Sequence, residues 1–184
     1  MTELSLNVLD IAENSTRANA KLIEISITAN TTTDLLSISI KDDGCGMSKE
    51  QLQNVCDPFY TTRTTRKVGL GLSMFKLAAT NSGGDFTIDS KLGEGTIVNA
   101  SFSLSNIDRM PLGDITSTIH TLITMHLDTD FLYTYTYNDK SFSLNTKEFR
   151  EILGDVSFNI PEVSNYIKEY LIENKNDVDG GIDF

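Results

Sequence analysis

Five short stretches in the first hundred residues carry side chains able to do chemistry, and they follow one another in a fixed order. The first is Leu9-Asp10-Ile11-Ala12-Glu13-Asn14-Ser15, with Arg17 just beyond it. Next come Asp42-Asp43-Gly44-Cys45-Gly46-Met47 and Asp57-Pro58-Phe59-Tyr60-Thr61-Thr62-Arg63. Val68-Gly69-Leu70-Gly71-Leu72-Ser73 and Gly93-Glu94-Gly95-Thr96 close the series. A carboxylate at the end of a strand, as at Asp42, is a charge-assisted acceptor for an amine, and Gly44 and Gly46 let a ligand approach the backbone with no Cβ in the way. A helix opening at Gly69-Leu70-Gly71 presents unpaired amides and the positive end of its dipole, which suit phosphate. Arg63, Arg66 and Lys67 make the one dense basic cluster of the chain, immediately ahead of those amides. Each stretch alone has an ordinary explanation, an Asp-Gly turn or a solvated basic loop; their order and spacing together do not.

This ordered set resembles the ATP-binding domain shared by sensor histidine kinases, anti-sigma-factor kinases, type II topoisomerases, Hsp90 and MutL, the Bergerat-fold (GHKL) ATPases. The resemblance covers roughly residues 3 to 105 and implies ATP and Mg as ligands. It carries roles onto individual positions. Asp42 matches the aspartate that contacts adenine, and Thr96 the threonine that supports a water beside it, with Gly44 and Gly46 in the loop between. Asn14 matches the asparagine that ligates Mg, an ion that keeps most of its waters on nucleotide phosphates and needs few protein ligands. Asp10, one helical turn earlier, stands where hydrolysing members and anti-sigma kinases carry a glutamate base and where sensor kinases usually carry asparagine; it is one methylene shorter than the glutamate. Arg17 falls where histidine kinases often have lysine, which implies a cation near the phosphates. An exposed ion pair with Glu13 is the alternative for Arg17. Gly69 and Gly71 match the phosphate loop, and Lys67 replaces a further glycine found in many members, so that with Arg63 and Arg66 it would add cations over the phosphates. Phe59 and Tyr60 fall in the family's aromatic box, as packing anchors of a lid over residues 61–67.

The elements that must position these groups are legible from periodicity. Leu4, Val8, Ile11 and Ser15 or Ala18 make one stripe of a helix over residues 3–19, with Asn7, Asp10, Asn14 and Arg17 on another face. Alternating runs over 21–28 and 35–41 predict an antiparallel hairpin that ends in the glycine loop. Ser48 caps a short helix, Pro58 ends it, and a helix over 70–81 stops at Gly83-Gly84. A second hairpin spans 85–90 and 96–104. Pro111 and Gly113 mark a boundary, beyond which helices over 115–125, 146–153 and 162–173 and a hairpin over 131–137 and 141–144 are expected, with a frayed tail from 177. The expected architecture is a two-layer α/β sandwich, its mostly antiparallel sheet covered on one face by helices, over residues 1–107, followed by a small acidic α+β domain over 108–184.

Charge divides the chain. Residues 1–107 hold 9 basic and 12 acidic side chains, and residues 108–184 hold 6 and 14, within a net charge of −11. That balance repels phosphate backbones and argues against nucleic acid as a partner. It leaves two readings of the acidic half, simple solubility or a docking face for a protein partner. No apolar run reaches a membrane span and no leader pattern is visible at Met1-Thr2-Glu3, so a cytoplasmic protein with no membrane partner is expected. Cys45 and Cys56 have no metal-ligand spacing and are expected to be reduced thiols. His120 and His126, the two imidazoles, lie outside the motif region and are expected to be structural rather than phosphoacceptors. The expected function is a Mg-ATP-binding, histidine-kinase-like regulatory protein, transferring phosphate to a protein serine or threonine; the alternative is a nucleotide-gated protein-binding module with slow or no hydrolysis.

Overall fold

A computed structural model describes residues 3–57 and 71–184. Helix α1 (Leu4–Arg17) buries Leu4, Val8, Ile11, Ala12 and Ser15. Its first free amides are satisfied from far along the chain: Leu4 N donates to Pro111 O at 2.9 Å and Ser5 N to Leu112 O at 2.8 Å. Strands β1 (Leu22–Asn30) and β2 (Leu35–Asp42) pair antiparallel, with Ile23 opposite Asp42. A short α2 (Lys49–Asn54) opens with a capping box in which Ser48 and Gln51 bond one another's backbone. Helix α3 (Gly71–Asn81) leads through Gly83, at φ 76°, into β3 (Phe86–Lys91) and β4 (Gly95–Ser103).

The expected boundary near residue 107 falls in the crossover to α4 (Ile115–Met125), which Asp114 caps by accepting from Ser117 N. Strands β5 (Asp130–Tyr137) and β6 (Lys140–Asn145), then α5 (Thr146–Leu153) and α6 (Pro161–Asp179), complete the chain. The hairpin expected there forms, but it extends the existing sheet: β5 runs parallel to β1, Ile25 opposite Tyr133, giving one six-stranded sheet in the order β3-β4-β2-β1-β5-β6. All other strand pairs are antiparallel. The fold is thus the mixed, mostly antiparallel α/β sandwich, and Ile23, Ile25 and Ile40 share one apolar cluster with Ile119, Leu122, Phe131 and Leu171. No helix among the described residues is long and apolar enough to cross a membrane.

The tail departs from expectation. Helix α6 runs on to Asp179 because that carboxylate is buried, accepting from Tyr135 Oη at 2.8 Å and Lys175 Nζ at 2.7 Å. Burial of both rings pushes the Tyr133 and Tyr135 hydroxyls far above the usual phenol range, Asp179 adding to the shift. Gly180 then takes a left-handed C-cap, Phe184 stacks on Tyr137 with ring centroids 5.8 Å apart, and Leu112 N donates to Phe184 O at 2.7 Å.

The two sheet faces differ in chemistry. One packs on the helices through Ile23, Ile38, Val98 and Tyr133. On the other, two rows of small polar side chains cross the strands: Asn99, Ser39, Ser26, Thr134 and Ser143 in one, Ser101, Ser37, Thr28, Thr136 and Ser141 in the other. A hollow of about 380 Å³ on that face is lined by Ser26, Thr28, Ser37 and Ser101.

Candidate functional site

The parity of a strand places the key carboxylate. On β2 the inward positions are Leu36, Ile38 and Ile40, and the next is Asp42, so this acid is carried to the helix-covered side and is only 8% exposed. On β4 the inward series Phe102, Ala100, Val98 ends at Thr96, and Thr96 lies directly opposite Asp42. Two residues more than fifty positions apart thus face the same space. The hollow in the open face lies on the other side of the sheet and is not this site.

A buried carboxylate needs partners, and Asp42 has two. Ser15 Oγ donates to its Oδ2 at 2.5 Å, and Gly44 N donates to its Oδ1 at 2.9 Å. A short O–H···O⁻ bond of this kind holds the carboxylate in place. Each oxygen retains a lone pair, so the group can still accept from a ligand. Ser15 belongs to α1, the helix that bears Asp10, Asn14 and Arg17, and its bond to Asp42 joins the first motif to the second. Thr96 has a comparable brace: Ser90 Oγ lies 2.9 Å from Thr96 Oγ1, donates to Gly95 O and accepts from Met47 N.

The glycine loop is held from three sides. Asp43 Oδ1 accepts from Lys21 N at 2.7 Å and Leu22 N at 2.9 Å, Cys45 N donates to Ala18 O, and Gly93 N donates to Cys45 O. Gly46 has φ 63°, and a Cβ there would strike the Lys91 carbonyl. A Cβ on Gly44 would press on Ala18 and on Asp42 itself. The motif is therefore a rigid wall, tied to both α1 and the β3-β4 turn.

Helix α3 starts at Gly71, where a Cβ would fall on the Asp10 carboxylate. Asp10 thus lies against the N-terminal end of α3, where the helix dipole favours a negative charge. Asn14, half-buried one turn later on α1, accepts at Oδ1 from the Arg17 guanidinium at 2.9 Å. Glu13, the alternative partner expected for Arg17, instead accepts from His126 Nε2 at 2.6 Å. Arg63, Arg66, Lys67 and Gly69, with Phe59 and Tyr60, lie outside the described residues. Of the remaining sequence candidates, the structure brings Asp42, Thr96, Gly44 and Gly46 together at the strand ends, and Asp10 and Gly71 together where α1 meets α3.

Ser15 and Ser90 were not singled out in the sequence, because a serine on an apolar helix stripe or in a strand has no signature of its own. Asn7, grouped by periodicity with Asp10 and Asn14, is fully buried, with neither amide atom hydrogen-bonded among the described residues, and belongs to the packed side of α1. Both histidines have partners outside the strand ends: His120 Nε2 lies 2.8 Å from Ser164 Oγ, burial pushing its pKa below the usual imidazole value, and His126 meets Glu13. Cys56 is a free thiol whose pKa burial raises, away from thiolate reactivity.

Known proteins resemble this chain in sequence and in fold. The chain is 32% identical over 107 residues to a putative sensor protein of Shewanella frigidimarina, the match covering 58% of the chain and 16% of the relative. It is 38% identical over 81 residues to the sensor histidine kinase WalK of Bacillus subtilis, covering 41% of the chain and 13% of that protein. It therefore spans about a sixth or less of the length of these relatives. Among solved structures, the MutL ATPase domain of Aquifex aeolicus complexed with ADP superimposes with a TM-score of 0.55 at 15% identity, covering 83% of the chain and 69% of that domain. An N-terminal domain of a DNA repair protein gives 0.57 at 17% identity, covering 79% and 52%. These structural likenesses are in the fold. Residues 1–106 match the histidine kinase-, DNA gyrase B- and HSP90-like ATPases, and the chain belongs to that family of ATP-binding domains.

Proposed function

We propose that this chain binds Mg-ATP as a regulatory domain of the histidine-kinase type and meets a protein partner through residues 108–184. The observation that carries the reading is the pairing of Asp42 with Thr96 on the helix side of the sheet, with Ser15 bracing the carboxylate from the helix that carries Asp10 and Asn14. In this reading Asp42 accepts from the adenine amine and Thr96 orients a water beside it. Gly44 and Gly46 line the base, and Asn14 Oδ1 is the Mg ligand. Arg17, now on that same oxygen, together with Arg63, Arg66 and Lys67 and the amides at Gly69 and Gly71, meets the phosphates. Mg-ATP supplies the transferable phosphoryl group, a chemistry that rests on positioning and charge neutralisation. Titration calorimetry of Asn14→Ala against ATP with and without Mg tests the metal role. The Mg-dependent gain in affinity is expected to fall about tenfold, in line with losing one ligand-mediated contact, while Mg-free binding holds. Equal losses in both titrations would remove Asn14 from the metal.

Two catalytic outcomes follow from Asp10. If it orients a nucleophile, phosphate passes to a protein serine or threonine. Its short side chain, packed against the start of α3, favours the second outcome, a domain that holds ATP and turns it over slowly. Incubated alone with γ-labelled ATP, the chain is expected to gain no acid-labile phosphate, because His120 and His126 are engaged by Ser164 and Glu13. Phosphate released to water should fall further in Asp10→Asn with ATP affinity retained. Acid-labile label that vanishes in His120→Ala or His126→Ala would make the chain a histidine autokinase instead.

A further inference from the structure

The outer surface of α5 and α6 carries apolar side chains that the core only partly covers. Phe149 of α5 lies edge-on to Tyr170 of α6, ring centroids 5.6 Å apart, and touches Tyr166 at 6.3 Å. Tyr166 and Tyr170 lie 6.4 Å apart, closing a triad of rings. Phe149 and Tyr170 lean on the core, yet Tyr166 is 57% exposed and Ile152, one turn along α5 from Phe149, is 82% exposed. Tyrosines and an isoleucine presented together are costly to leave in water and are the residue types that anchor protein interfaces.

Charge surrounds this strip with one sign. Helical spacing puts Glu162 one turn before Tyr166, Glu169 one turn after it and Glu173 one turn after Tyr170, all exposed, while Glu148 flanks Phe149. Few cations answer them. Arg150 is turned inward to Asp130 at 3.0 Å and lies over the Phe158 ring, and Lys175 is tied to Asp179. Lys168 is exposed but stands two residues from both Tyr166 and Tyr170, which turns it to the other side of α6, toward Asp114 and His120. Lys147, two residues before Phe149, is turned from it in the same way. An apolar strip inside a carboxylate rim repels nucleic acid and anionic lipid, and complements apolar side chains flanked by lysine or arginine.

We infer that the Phe149–Ile152–Tyr166–Tyr170 strip is a docking surface for a basic amphipathic helix of a partner protein, laid apolar side down between the two helices. This rests on the reading that residues 108–184 meet a protein partner, and it gives that partner a chemistry. The probe is a fluorescein-labelled peptide of about five helical turns, with leucines on one face and lysines elsewhere. Controls are the same composition scrambled to destroy the face, and the same pattern with glutamate in place of lysine. Anisotropy titrations use the full chain with ATP and Mg. Binding of the leucine-lysine helix is expected, weakening with salt and falling about tenfold in Tyr166→Ala and in Ile152→Ser. It should be unchanged in Leu92→Ser, an exposed apolar site on the β3-β4 turn. Equal binding of the scrambled peptide, no loss in either strip variant, or the same loss in Leu92→Ser would overturn the inference. ATP binding measured on the same samples keeps the readings apart: peptide binding without nucleotide binding would sink the nucleotide site and leave the strip standing.

Discussion

Asp42→Asn is expected to lower ATP affinity by about a hundredfold or more, while circular dichroism and the thermal transition show the fold intact. The size follows from what is lost. The carboxylate is a charged acceptor in a nearly buried position, where a charge-assisted bond contributes about 1.5–3 kcal/mol. The amide also turns a donor toward either Ser15 Oγ or Gly44 N, so one of the two bonds that hold the group meets the wrong partner. Calorimetry decides the matter, and an affinity equal to that of the parent would remove Asp42 from the site. Ser15→Ala should give a smaller loss in the same direction, because it loosens the carboxylate without discharging it.

Ending the chain after Ile107 is expected to remove cooperative folding altogether. Such a fragment retains every sequence motif yet leaves the whole length of β1 unpaired on the side now covered by β5. It also strips Ile119, Leu122, Phe131, Tyr133 and Leu171 from the common core. At about 1.5–3 kcal/mol for each buried side chain, these five losses alone match the roughly 5–15 kcal/mol by which a domain is stable. The first amides of α1 lose Pro111 and Leu112 as acceptors as well. Near-ultraviolet circular dichroism and differential scanning calorimetry of residues 1–107 test this. A sharp transition in the fragment would show that residues 108–184 are a separable unit.

Much of the fold was legible because its local rules agree. The alternation of isoleucines in β1 and β2, the Ser48–Gln51 box and the left-handed turn at Gly83 all stand where their spacing puts them. The site was legible as a family pattern, and strand parity explains why Asp42 and Thr96 converge. What periodicity does not encode is partnership over distance. Nothing local to 130–137 says that this strand lies parallel to one a hundred residues earlier. The last turns of α6 read as polar and frayed because Asp179 finds Tyr135 and Lys175 only in the folded state. Asn7 shares a helical face with Asp10 on paper, but α1 packs deeply enough to bury it.

The parallel pairing of β1 with β5 also governs the order of events during synthesis. Leu22 pairs with Asp130 and Ala29 with Tyr137, so β1 leaves the ribosome more than a hundred residues before its neighbour exists. At about 5–20 residues per second, the interval is on the order of 5–20 s. Until Pro111 and Leu112 follow, α1 lacks the carbonyls that cap its N-terminus, and throughout the interval a strand bearing Ile23, Ile25 and Ile27 on one side has an open edge. On the expectation that residues 1–107 do not fold alone, the nascent chain carries its family motifs for many seconds before it can assemble them, and its competence to hold a ligand begins only after its C-terminal strands have been made.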